Sequence, residues 1–130
     1  MAKILLVEDD PFNIELFELV LKRIGNFEVV SNDNAQKIFK ILENQKIDLI
    51  IMDVSLENTY IDDKKVDGKE LSKIIKQNKS LKDIPIIIVT AYATKEDIQK
   101  IIRDSLADAC VTKPITSYPE FISLIKRHIK

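Results

Sequence analysis

Short runs of apolar residues alternate along this chain with longer segments in which apolar residues recur at helical spacing. A short apolar run bounded by acidic or turn-forming residues is typical of a strand that is buried on both faces of a sheet. Strands that alternate with helices require crossover connections, which produce a parallel sheet. The predicted strands are Ile4–Val7, Phe27–Val30, Leu49–Met52, Ile86–Val89 and, more weakly, Ala109–Val111.

Five segments carry the helical pattern, in which apolar residues are three or four positions apart. Side chains suited to N-caps precede four of them, and Gly25 follows the first. Five β/α units fit a chain of this length, so the pattern predicts one doubly wound α/β domain over residues 1–130. The N-cap candidates are Asp10 before Pro11, Asn34, Thr94 and Ser117; the apolar helix positions are Phe17, Val20, Leu21, Ile24, Ile38, Ile41, Leu42, Leu71, Ile74, Ile75, Ile98, Ile101, Ile102, Ile122, Ile125 and Ile129.

Composition narrows the class of protein. The 130 residues are 45% hydrophobic, enough for a core without a disulfide or structural metal. The 20 basic and 21 acidic side chains argue against nucleic-acid binding as the main function. Cys110 is the single cysteine and cannot form an internal disulfide, which fits a reducing cytoplasm. The apolar stretch near the N-terminus is too short for a signal peptide or a membrane span, so we expect a cytoplasmic protein without membrane contact.

Charged and polar residues follow the predicted strands. Glu8 and Asp9 follow the first strand, Asp53 the third, Thr90 the fourth and Lys113 the fifth. The functional crevice of a doubly wound fold lies at the carboxyl ends of its strands, so we expect these side chains to converge there. Each acid alone could equally be a helix N-cap, and Thr90 and Lys113 alone could be ordinary surface residues. Their conjunction at one edge indicates a functional site.

The chemistry of this group points to phosphoryl transfer. Crowded carboxylates repel one another unless a cation joins them, and Mg²⁺ prefers carboxylates, water and phosphate oxygens. A nearby lysine can pair with an anionic group. Asp53 would then be the nucleophile that forms an acyl phosphate.

Four segments in this order resemble the receiver domain of two-component response regulators. They are Lys3–Pro11, Asp48–Asp53, Ile84–Ala91 and Val111–Ile115, and the resemblance extends over essentially the whole chain. It implies a flavodoxin-like receiver fold with a five-stranded parallel sheet and five helices. It also implies a regulator that is switched by phosphorylation in a Mg²⁺-dependent reaction.

By position in these motifs, the resemblance implies that Asp53 is the phospho-acceptor. Glu8 and Asp9 match the acidic pair that holds Mg²⁺ directly or through water, together with Asp53. Ser55 would offer its backbone carbonyl to the metal. Thr90 matches the hydroxyl that binds the phosphoryl oxygens and moves on activation.

The resemblance also assigns roles near the fifth strand. Lys113 matches the lysine that pairs with the phosphoryl group, and the bond to Pro114 is expected to be cis. The aromatic switch residue of the family corresponds here to Cys110, which puts the usual coupling to Thr90 in doubt. A second departure is an insertion within residues 57–66, for which we favour a solvated loop over a lid or docking element. Asp62 or Asp63 as an additional metal ligand is a lesser alternative.

The implied function is a single-domain response regulator without an output domain. Its expected partners are a histidine kinase or histidine phosphotransfer protein and a downstream protein target; it would catalyse only its own phosphoryl transfer and dephosphorylation. Three alternatives stay open. The first is a metal-dependent phosphatase, but this chain lacks the second acid that such an enzyme would need two residues after Asp53. The second is a flavodoxin-like cofactor binder, but no phosphate-binding loop follows the first strand. A pseudo-receiver would bind partners without phosphorylation.

Overall fold

The computed structural model describes residues 1–91 and 94–129, which form an α/β fold with one central five-stranded parallel sheet and a separate two-stranded hairpin. The strands are β1 (Lys3–Val7), β2 (Glu28–Ser31), β3 (Leu49–Asp53), β4 (Tyr60–Ile61), β5 (Lys64–Lys65), β6 (Ile86–Thr90) and β7 (Ala109–Thr112). The helices are α1 (Pro11–Arg23), α2 (Ala35–Asn44), α3 (Gly68–Lys76), α4 (Lys95–Ser105) and α5 (Tyr118–His128). None of the helices within the described ranges is long and apolar enough to cross a membrane.

The strand order in the central sheet is β2-β1-β3-β6-β7, and all neighbouring strands run parallel. The chain therefore starts in the middle of the sheet, adds β2 on one side and then continues on the other side from β3. The direction of winding changes between β1 and β3, which is where the crevice of such a fold opens. The predicted five-stranded, doubly wound fold is confirmed.

Each face of the sheet is covered by helices, which explains why the central strands read as continuous apolar runs. Alternate residues of β1 and β3, such as Leu5 and Ile50, lie in a core with α2, α3 and α4. Their sequence neighbours, such as Ile4 and Ile51, lie in a second core with α1 and α5. Burying a side chain of this size contributes about 1.5–3 kcal/mol. The sheet is thus the rigid base on which the loops at its edge are placed.

The predicted N-caps are confirmed. A side-chain oxygen of each capping residue accepts a hydrogen bond from the backbone N–H three residues further on. Helix α3, for which no cap was predicted, has Asp67, whose carboxylate accepts from the Glu70 N–H at 2.9 Å. The four predicted caps are Asp10, Asn34, Thr94 and Ser117, with donor–acceptor distances of 3.4, 3.0, 3.0 and 3.3 Å.

Two of the apolar helix positions are exposed to solvent. Ile24 is 48% exposed because α1 ends at Arg23 and Ile24 is its C-cap. Ile74 is 39% exposed because the buried stripe of α3 contains Leu71 and Ile75, so that Ile74 lies beside it. A helical repeat read from the sequence locates the buried face, but the edge of that face depends on how the helix is rotated against the sheet.

The insertion is a short β-hairpin and not an irregular loop, and most of its residues are exposed to solvent as expected. Strands β4 and β5 pair antiparallel, with Tyr60 opposite Lys65 and Ile61 opposite Lys64. Asp62 and Asp63, at φ values of 51° and 64°, form the two-residue turn between them. Two consecutive residues with positive φ are the requirement of a type I′ hairpin turn, in which Asp is tolerated.

Helix α4 ends on a residue that is unfavourable there. Leu106, its C-cap, has φ 60° and ψ 18° and is 45% exposed. A side chain with a Cβ is strained in this left-handed region, whereas glycine is not. We therefore expect Leu106→Gly to be more stable than Leu106→Ala by about 1 kcal/mol, the reverse of their order inside a helix. The alanine variant controls for loss of the leucine side chain, and urea unfolding measures both. An alanine variant as stable as the glycine variant would contradict the strain.

Candidate functional site

Five side chains that the sequence places after strands lie at the carboxyl edge of the central sheet. Glu8 and Asp9 directly follow β1, and Asp53 and Thr90 are the last residues of β3 and β6. Lys113 directly follows β7. These strands are parallel, so their carboxyl ends meet at one edge, and the predicted convergence is confirmed.

Three of these residues bring carboxylates together. Glu8, Asp9 and Asp53 each offer an oxygen, and the three oxygens lie within 4.8 Å of one another. Glu8 is 2% exposed and Asp53 is 3% exposed, while Asp9 is half-buried. Water can therefore screen the repulsion between Glu8 and Asp53 only weakly.

The contacts of Glu8 show that this group fits a cation. Its Oε1 accepts hydrogen bonds from the backbone N–H groups of Asp9 and Asp10, both at 3.2 Å. Its Oε2 is buried and, in the part of the chain that the structure describes, accepts no hydrogen bond. A buried acceptor without a donor is costly, and a metal ion would satisfy it.

Lys113 provides positive charge next to the carboxylates. Its Nζ donates a hydrogen bond to Asp53 Oδ1 at 2.9 Å and lies 3.9 Å from Glu8 Oε2. The backbone N–H of Lys113 donates to the carbonyl of Thr90 at 2.7 Å, which ties the loop after β7 to the end of β6. The expected cis bond between Lys113 and Pro114 is confirmed. One ammonium against three carboxylates leaves an excess of negative charge, which suits a divalent cation.

Burial of Glu8 raises its pKa from 4.5 to about 7. Desolvation is the main cause, and the negative charge of Asp53 adds to it. The hydrogen bond from the Asp10 amide and the charge of Lys113 act in the opposite direction. A metal ion that binds Glu8 near neutral pH would therefore have to compete with a proton.

Helix α3 approaches Asp53 so closely that only glycine fits at its first residue. A Cβ on Gly68 would lie 1.9 Å from the carbonyl oxygen of Asp53, which is backbone and cannot move aside. The Gly68 N–H also donates to the carbonyl of Val54 at 3.0 Å. This contact holds the end of β3, and with it the Asp53 side chain, against α3.

The remaining predicted residues lie around this group. Thr90 is buried and pairs in register with Thr112. Cys110, two residues earlier on β7, is half-buried opposite Ile88, and burial raises the pKa of its thiol. Ser55 is exposed in the segment after β3. The metal contact of Ser55 and the switch roles of Thr90 and Cys110 stay predictions.

Sequence reasoning missed a contact between this group and the insertion. The backbone N–H of Glu57 donates to Asp9 Oδ2 at 2.6 Å, and the Glu57 carboxylate pairs with Lys65 of β5. Asp62 and Asp63 form the hairpin turn; among the described residues, the carboxylates placed to share a cation do not include theirs. The adjacent Asp62 and Asp63, which are tolerated at positive φ, were a weak sequence signal for the turn, but they gave no sign of the contact between Glu57 and Asp9.

Comparison with known proteins identifies the family. The family model of the response regulator receiver domain matches residues 4–126. The chain is 33% identical over 126 residues to the polar-differentiation response regulator DivK of Brucella anthropi, covering 97% of this chain and 94% of that protein.

Solved structures agree with this relationship. The signal receiver domain of a signal transduction histidine kinase from Syntrophus aciditrophicus superposes with a TM-score of 0.80 at 27% identity, covering 98% of this chain and 89% of that one. The receiver domain of a sensor histidine kinase from Pseudomonas aeruginosa superposes with a TM-score of 0.78 at 26% identity, covering 97% and 95%. That structure has a magnesium ion coordinated in its active-site cleft. Because the family model matches residues 4–126 of its 130 residues, this chain belongs to the response regulator receiver domains of two-component signalling.

Proposed function

We propose that this receiver accepts a phosphoryl group on Asp53 in a Mg²⁺-dependent reaction and thereby switches its binding of partner proteins. The observation that carries the proposal is the arrangement at the sheet edge. A buried Asp53 lies between an ammonium at 2.9 Å and two further carboxylates with which it can share a cation. Phosphoryl transfer depends mainly on such positioning and charge neutralisation.

In this proposal an oxygen of Asp53 forms a bond to phosphorus while the bond from phosphorus to the donor breaks, and the donor leaves with that electron pair. Lys113 holds the Asp53 carboxylate in the resting state and pairs with the phosphoryl oxygens afterwards. The Thr90 hydroxyl, at the end of the adjoining strand, binds another phosphoryl oxygen. Hydrolysis of the acyl phosphate by water returns Asp53 to its carboxylate form.

Glu8, Asp9, Asp53 and the backbone carbonyl of Ser55 would hold Mg²⁺. When bound, the ion supplies positive charge to the transferring phosphoryl group. The orphaned Glu8 Oε2 and the negative excess at the site support this role, as does the magnesium ion in the Pseudomonas aeruginosa relative. Glu8 and Asp9 directly follow the rigid strand β1, which fixes the positions of their carboxylates relative to Asp53.

Receiver domains are signalling proteins, and we propose that this one catalyses only its own phosphorylation and dephosphorylation. Its phosphodonor would be a histidine kinase or a histidine phosphotransfer protein, and its phosphorylated form would bind a downstream protein target. Thr90 and Cys110 would carry the switch between the two forms. We propose a cytoplasmic location, with which the free Cys110 agrees.

The test is the intact mass of the wild-type protein after incubation with phosphoramidate, with and without Mg²⁺. We expect one added phosphoryl group with Mg²⁺ and little or none after removal of divalent ions by EDTA. The competing function is a pseudo-receiver that binds partners without phosphorylation, which the departure at Cys110 favours. A folded protein that gains no mass under either condition would support the pseudo-receiver.

A further inference from the structure

We infer that the hairpin insertion positions Asp9 through a clasp between Glu57 and Lys65, and thereby sets the affinity of the acidic site for its divalent cation. The clasp consists of the Glu57 backbone N–H on Asp9 and the Glu57 carboxylate on Lys65. The part of the inference that concerns the cation rests on the proposed Mg²⁺ role. The positioning contact itself can be measured without metal.

The first link joins the insertion to the site. The Glu57 N–H donates to Asp9 Oδ2 at 2.6 Å across 48 residues of sequence. Hydrogen bonds to a charged acceptor are shorter and stronger than those between neutral groups. Partners of this kind orient a metal ligand and tune the affinity of the site. Because Asp9 is half-buried, this donor restricts a carboxylate that could otherwise turn toward solvent.

The second link holds Glu57 in place. Its Oε2 lies 2.5 Å from the ammonium of Lys65, on the second strand of the hairpin. The hydrogen bond to Glu57, together with the charge of that carboxylate, raises the pKa of Lys65. Both side chains are exposed, so the pair contributes little to folding stability. Its consequence is the placement of the Glu57 backbone.

The hairpin is anchored independently of this pair. Thr59 is fully buried, and its hydroxyl donates to the carbonyl of Asp33 at 2.6 Å. The Val66 N–H donates to the carbonyl of Thr59 at 3.0 Å and closes the base of the hairpin. Gln36 Nε2 of α2 donates to the carbonyl of Tyr60 at 3.4 Å. Loss of the ion pair should therefore release Glu57 without unfolding the insertion.

A simpler explanation would treat the two residues as independent charges near a cation. Removing the negative Glu57 would then weaken Mg²⁺ binding, and removing the positive Lys65 would strengthen it. The clasp predicts that both substitutions weaken Mg²⁺ binding, because each one frees the same backbone donor. It also predicts that the double variant binds Mg²⁺ no more weakly than either single variant, because the first substitution has already broken the ion pair.

The experiment measures the Mg²⁺ dissociation constant of the full chain by NMR titration for Glu57→Gln, Lys65→Gln and the double variant. We expect about threefold to tenfold weaker binding in all three variants, at or below the bottom of the range of about tenfold to hundredfold for residues behind a metal ligand, because Glu57 contacts Asp9 through its backbone. Lys65→Arg keeps the ion pair and should bind Mg²⁺ with wild-type affinity. Lys64→Gln removes the same charge from the neighbouring position and should change little. Opposite signs for the single variants, or equal effects at Lys64 and Lys65, would overturn the clasp.

A second measurement needs no metal. Amide hydrogen exchange at Glu57 in the metal-free protein should be faster in Lys65→Gln than in wild type by a similar factor, while exchange at Val66 is unchanged. Unchanged exchange at Glu57 would overturn the clasp even where Mg²⁺ binds normally. A wild-type protein that binds no Mg²⁺ would overturn the claim on cation affinity together with the proposed metal site. Exchange at Glu57 that still depends on Lys65 would then show that the positioning contact alone is real.

Discussion

Asp53→Asn is expected to lower phosphoryl incorporation from phosphoramidate or acetyl phosphate to below about 1% of the wild-type level, because an amide oxygen is a poor nucleophile and cannot form the acyl phosphate. The geometry of the sheet edge should otherwise persist, since Asn is close to Asp in size. The measurement is intact mass after incubation with the phosphodonor and Mg²⁺. Metal-free stability should rise, because the variant removes one of two buried carboxylates that repel each other.

Asp10→Asn is the matched control for this variant. It removes one carboxylate from the same edge, but Asp10 caps helix α1, and Asn is an equally good N-cap. Its phosphoryl incorporation should equal that of wild type. If Asp53→Asn were labelled as well as wild type, the assignment of the acceptor would be wrong. If both variants lost the label, the loss would reflect the charge of the edge and not the acceptor.

The metal-free protein is expected to lose stability as the pH rises toward neutral, and Glu8 is the cause. The pKa of this carboxyl is 4.5 when solvated and about 7 in the fold. Between these values the folded state holds a proton that the unfolded state has released. The stabilisation is therefore present in full below pH 4.5 and is lost as the pH rises through about 7. The loss amounts to about 3 kcal/mol at most.

Urea unfolding with EDTA over this pH range measures the effect. Other carboxylates titrate as well, so the quantity to compare is the difference between wild type and Glu8→Gln, which cannot ionise at this position. That difference should shift in favour of Glu8→Gln as the pH rises. A difference that does not change with pH would mean that Glu8 is already ionised in the fold.

The affinity of the protein for Mg²⁺ should increase as the pH rises. If the ion binds Glu8 as a carboxylate, it must displace the proton, so its affinity should increase with pH by up to about tenfold per unit below pH 7. In Glu8→Gln the affinity should be lower and less dependent on pH. Titration with Mg²⁺ at several pH values checks this. Equal affinity in both proteins would exclude Glu8 from the metal site.

The insertion shows where sequence reasoning ends. Its two strands have two residues each, too few for an apolar alternation, and its turn lacks the Asn-Gly or Asp-Gly pair that would mark it. Thr59 was not recognised as a core residue, although it is fully buried, because a threonine is buried only where a distant carbonyl satisfies its hydroxyl. Both facts depend on contacts with α2 and the segment before it.

By itself the sequence determined the fold and which side chains meet at the carboxyl edge of the sheet. Apolar periodicity places the five main strands, the caps Asp10 and Asn34 begin helices where expected, and parallel strands must present their carboxyl ends at one edge. Only the tertiary structure decided how deeply each acid is buried there and which groups it contacts. Glu8 and Asp9 are adjacent in the chain, yet one is buried with a raised pKa and the other is half-buried and held by the Glu57 amide. Desolvation and hydrogen bonding act through space, so neighbours in sequence can have very different surroundings.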